Sequence, residues 1–126
     1  MFIIDEETGN ITIRQGDSAE ITITGIPDDR EYDVYFSMYD SNRNILFKLK
    51  ENPVDREVTF KITPKLSNLL TVPSGQKTAL YYWGVKRCYE SDNFEDTLLV
   101  GDKGVADLNK VTVYPLIVEG AENANS

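Results

Sequence analysis

The chain has 126 residues, 40% hydrophobic and 27% charged, with 13 basic against 21 acidic residues, a formal charge of −8 and no histidine. That length and composition describe one globular domain able to bury a core of its own, and a single cysteine, Cys88, excludes an internal disulfide. Without histidine there are no Ser-His or Cys-His nucleophile pairs and no imidazole metal sites. Acidity without a Lys/Arg cluster argues against nucleic acid.

From the amino end, Phe2 to Asp5 and Ile11 to Gln15 read as two strands joined by a Thr8-Gly9-Asn10 turn, an N-terminal hairpin. Gly16-Asp17 interrupts, and Ala19 to Thr24 resumes with Ile21 and Ile23 inward. After the Pro27-Asp28-Asp29 loop comes Tyr32 to Asp40, in which Val34, Phe36 and Met38 alternate with Asp33, Tyr35, Ser37 and Tyr39. A period of two sends alternate side chains to opposite faces of a strand. Ser41 to Asn44 is a polar turn into Ile45 to Glu51, where Ile45, Phe47 and Leu49 form the inward set. Glu57 to Thr63 follows after Asn52-Pro53.

Residues 64–73 break the alternation. Thr63 followed by Pro64 reads as an N-cap and first helical position, and Leu66, Leu69 and Leu70 recur at helical spacing, predicting one or two turns between the sheets. Thr78 to Tyr89 is the longest strand, with Tyr81, Trp83 and Val85 on one face and Leu80, Tyr82 and Cys88 on the other. Large side chains on both faces suit a central position. An acidic loop, 90–95, precedes a strand over 96–100 and a turn over 101–104. Lys110 to Val118 is the last strand, with Pro115 marking an edge or a bulge. The reading is one sandwich domain over 1–119 and a tail over 120–126, all-β and antiparallel, with one short helical turn near 64–71.

Few residues could carry chemistry. Cys88 has only Lys86 and Arg87 nearby to lower its pKa and reads as a small structural hydrophobe. Glu90, Asp92, Glu95 and Asp96 are weak calcium candidates, because the EF-hand spacing is missing: Lys103 stands at the twelfth position counted from Asp92. No acidic pair stands out for glycoside hydrolysis, the Asn10-Ile11-Thr12 sequon reads as a chance match, and Gly101-x-x-Gly104 is too short for a phosphate loop. No catalytic residue, cofactor or metal is expected. Tyr35, Tyr39 and Tyr82 stand at the outward parity of their strands and are the interface candidates, since tyrosine combines a large apolar body with a polar tip.

No segment approaches the roughly 20 apolar residues of a membrane span, and Phe-Ile-Ile-Asp-Glu-Glu after Met1 lacks the basic start of a secretory leader. With one cysteine, this leads to an expectation of synthesis in a reducing cytoplasm and of neither membrane nor nucleic acid as partner.

Several segments, taken in order, resemble small phage virion modules related to the amino-terminal domain of the phage baseplate upper protein. They are Ile11-Thr-Ile-Arg-Gln-Gly-Asp-Ser18 with the strand after it, Phe60-Lys-Ile-Thr-Pro64 running into Leu66 and Leu69, and Tyr81, Trp83 and Val85 at alternate positions. Thr97-Leu98, Gly101 and Val111-Thr112 complete the series, which spans about residues 11 to 115. Gly84 departs from the pattern, standing where such modules carry a polar residue. The resemblance implies an immunoglobulin-like β-sandwich and a non-enzymatic phage or prophage structural protein of baseplate, tail or head. It would be made in a bacterial host's cytoplasm and built into the virion through contacts with other virion proteins and as a homo-oligomer. The alternative from the residues is a carbohydrate- or cell-surface-binding module using the tyrosines and the acidic loop.

Overall fold

In a computed structural model, residues 1–26, 31–89, 93–98 and 108–118 are described. They form nine strands and one helical turn: β1 (Phe2–Ile4), β2 (Ile11–Arg14), β3 (Ala19–Thr24), β4 (Asp33–Tyr39), β5 (Ile45–Glu51), β6 (Glu57–Ile62), α1 (Pro64–Ser67), β7 (Ala79–Tyr89), β8 (Phe94–Leu98) and β9 (Asn109–Tyr114). The large sheet runs β1-β2-β9-β7-β4-β5, with β8 also on β7, and β3 pairs β6 in a small second sheet. This is the expected all-β, immunoglobulin-like sandwich.

Alternation builds the core between the layers. Val34, Phe36 and Met38 from β4, Tyr81, Trp83 and Val85 from β7, and Val111 and Val113 from β9 face Ile21 of β3 and Val58, Phe60 and Ile62 of β6, all of them buried. The Phe36 ring links the sheets, with centroids 5.6 Å from Phe60 and 5.3 Å from Trp83. Burying the indole would strand its N–H without a partner, and the Gly9 carbonyl accepts it at 2.9 Å. Gly9 has φ 75°, a left-handed conformation that glycine adopts without strain, in the turn between β1 and β2.

The predicted helix is a single turn. Thr63 Oγ1 accepts the Leu66 N–H and Pro64 opens the helix, as the sequence indicates, but the turn ends at Ser67. From there the chain is anchored by Tyr81 near the start of β7, whose hydroxyl donates to the Thr71 carbonyl at 2.6 Å. A tyrosine bonding back to the connection before its strand is the corner device of immunoglobulin-like sandwiches.

Four expectations change. β2 and β9 are parallel, Ile11 opposite Val111 and Arg14 opposite Tyr114, so the sandwich is not wholly antiparallel. The β4–β5 register slips between Met38 and Tyr39, which sets Tyr39 against Ile45. That one-residue slip reverses parity, so Ile45 is 52% exposed while Leu46 packs on the core. β8 begins at Phe94, taking Phe94 and Glu95 out of the expected loop. β9 stops at Tyr114, because Pro115 has no N–H for the ladder, and it lies between β2 and β7 rather than at an edge. The turn over 101–104 and the tail over 120–126 lie outside the described residues.

Candidate functional site

Residues paired directly across strands share a face, so the sheet registers define the outward surface of the large sheet. Tyr35 lies between Lys50 of β5 and Lys86 of β7, Ser37 between Lys48 and Gly84, and Tyr39 between Ile45 and Tyr82. Beyond β7 the face continues through Lys110 beside Tyr82 and Thr112 beside Leu80, then through Thr12 and Arg14 of β2, which meet Thr112 and Tyr114. All three candidate tyrosines therefore stand on one surface, half-buried, with Tyr39 and Tyr82 as direct neighbours.

Cations lie over several of these rings. The Arg43 guanidinium, from the β4–β5 turn, is 4.6 Å from the Tyr82 centroid, Lys48 Nζ is 5.4 Å from that of Tyr35, and Arg14 is 5.7 Å from that of Tyr114. A cation above an aromatic face is attracted by the ring quadrupole, by about 0.5–1 kcal/mol at exposed sites. Two carboxylates join the surface. Asp33 accepts Lys50 at 3.5 Å and Glu95 accepts Lys86 at 3.0 Å. The hydrogen bond to Glu95, reinforced by its charge, raises the Lys86 pKa.

At the middle of the face Gly84 has a packing reason. A Cβ there would sit 2.8 Å from Cδ2 of Leu108, so the missing side chain lets leucine lie over the strand where a polar residue would push it away. Ser37 on the neighbouring strand is buried.

Cys88 shares this face opposite Asp33. It is half-buried rather than a core residue, and burial, followed by the nearby Glu95, pushes its thiol pKa up. A raised pKa leaves less thiolate at neutral pH, which is the wrong direction for a nucleophile.

The two described calcium candidates, Glu95 and Asp96, do not converge. Glu90 and Asp92 lie outside the described residues. Glu95 and Asp96 are neighbours on β8 and so point to opposite faces, Glu95 to Lys86 and Asp96 to Arg87, the latter at 2.8 Å. Among the described residues no group of three or more metal-ligating side chains forms.

Sequence reasoning missed Arg14, Lys110, Tyr114 and Arg43 as members of the aromatic surface. The parity of Tyr114 was readable, since Val111 and Val113 take the inward positions of the same strand. What joins Tyr114 to Arg14 is the parallel β2–β9 pairing, for which no local signal exists.

The two packed sheets form an immunoglobulin-like sandwich whose large sheet presents an aromatic and cationic outward face. No family model and no curated protein matches the chain. Among solved structures it is similar to the periplasmic chaperone SfaE, with 15% identity and a TM-score of 0.52 over 93% of this chain and 60% of that one. At that identity the likeness shows the shared fold, and this chain spans only 60% of the chaperone's length.

Proposed function

We propose that the protein is a non-enzymatic structural component of a phage or prophage virion, in baseplate, tail or head, working by protein–protein contact. The order of its sequence motifs supports the virion setting. The observation that carries the contact mechanism is the tyrosine surface of the large sheet, Tyr35, Tyr39 and Tyr82 on one rigid face backed by the Phe36–Trp83 core. Tyrosine has few side-chain torsions, so rings carried on rigid strands lose little freedom on docking.

Sugar binding, the other reading of outward tyrosines, needs an open ring face for stacking. Arg43 lies over Tyr82 and Lys48 over Tyr35, which favours a protein partner instead. The test is to induce particles from the bacterium encoding the chain, band them on a density gradient and identify their proteins by mass spectrometry. The protein should co-purify at fixed stoichiometry with capsid or tail proteins. Particles that lack it would overturn the virion assignment.

A further inference from the structure

The charge of the outward face runs against that of the molecule. Its strands carry five cations, Arg14, Lys48, Lys50, Lys86 and Lys110, against two carboxylates, Asp33 and Glu95, a balance of +3. Arg43, over Tyr82, adds a sixth cation and brings the face to +4, whereas the other described residues carry eleven carboxylates against five cations, a balance of −6. Large rings and apolar side chains stand among the cations: the tyrosines, Leu80 at 40% exposed and Ile3 at 59% exposed.

From this asymmetry we infer that the outward face of the large sheet docks a second copy of this chain through that copy's acidic remainder. The inference rests on the contact mechanism proposed above and gives it a surface and a geometry. An isologous pairing, face on face, would set two positive surfaces against one another. A heterologous contact sets positive against negative, and repetition of such a contact yields a ring or a filament. The tyrosines supply the apolar burial, and the charges select partner and orientation.

The test is sedimentation or light scattering on the full chain at increasing concentration, in about 0.1 M and about 1 M salt. The screening length falls from about 10 Å to about 3 Å between those conditions. The wild type should associate in low salt and weaken about ten-fold or more in high salt. The double variant Lys48→Glu/Lys110→Glu, changed at exposed positions only, should stay monomeric. Mixed with wild type it should shorten the assemblies, because its acidic surface still caps an intact face. Tyr82→Ala, a change that keeps the charges, should also weaken association about ten-fold or more. A wild type that stays monomeric at high concentration in low salt would overturn the inference, as would association indifferent to the double variant or to salt. A monomer that still co-purifies with particles refutes the self-docking and leaves the virion assignment standing. Self-association without incorporation into particles does the reverse.

Discussion

On the outward face of the small sheet Thr22 lies opposite Thr59, Glu20 opposite Lys61 and Thr24 opposite Glu57, whereas on the large sheet Tyr39 lies opposite Tyr82 and Tyr35 between two lysines. The inward faces of both are alike, alternating Ile, Val and aromatic residues sealed against the same core. Equal demands inside leave the outside free to diverge. Threonine suits a strand through its β-branching and spends its hydroxyl locally, as the Thr22–Thr59 contact at 2.9 Å shows. Nothing there gains from being covered. A tyrosine left half-exposed keeps apolar area in water that a partner can remove, so the two faces differ in what association would gain.

The comparison presumes a core that holds both sheets, and removing its centre should break both faces together. Trp83→Ala deletes the indole against Phe36 and leaves the Gly9 carbonyl without that donor. A loss of about 3–5 kcal/mol is expected in urea denaturation. Retention within 1 kcal/mol of wild type (a limit set by the small end of core truncations) would mean that the sheets are not joined there.

Tyr81→Phe asks less. It removes the hydroxyl that donates to the Thr71 carbonyl and lies 3.4 Å from Thr71 Oγ1, and should lower stability by about 1 kcal/mol while leaving the outward tyrosines and any self-association untouched. If association fell with it, the corner and the surface would be coupled.

The Lys86–Glu95 pair lies on the aromatic face and titrates in a defined direction. The folded-state pKa of Lys86 is raised above its ordinary value of 10.5, so the pair's contribution is complete below that pH and is lost as pH rises through the higher folded value. Both groups are about half exposed, which keeps the effect to about 0.2–1 kcal/mol. Glu95→Gln should remove it. An NMR titration of the Lys86 amine that showed no downward shift in the variant would exclude the pair.

Thr22→Ala with Thr59→Ala is expected to change least, within about 0.5 kcal/mol in stability and with no change in sedimentation. A loss of association would place the acidic counter-surface on the small sheet and make the two faces two halves of one contact.

Much of this molecule is legible locally. The inward residues of β4, β6 and β7, the cap at Thr63 and the turn over 41–44 follow from side-chain period and from residues whose backbone preferences are strong. The outward tyrosines follow from the same parity. Ile45 does not, because a register slip between neighbouring strands leaves no mark in either strand's own pattern. Cys88 reads as a structural hydrophobe by residue type, while its parity with Leu80 and Tyr82 puts it on the outward side, where it stands half-buried opposite Asp33.

The alternation along each segment determined which side chains turn inward, because a strand's period of two is a property of the chain itself. Which strands became neighbours was decided only when residues far apart in sequence met: β2 lies parallel to β9, and beside that pair Arg14 reaches the Pro115 carbonyl at 2.8 Å across 101 positions. The cationic aromatic surface belongs to this second kind. Its members come from strands scattered along the chain, and only packing of the two sheets around Trp83 brings them onto one face.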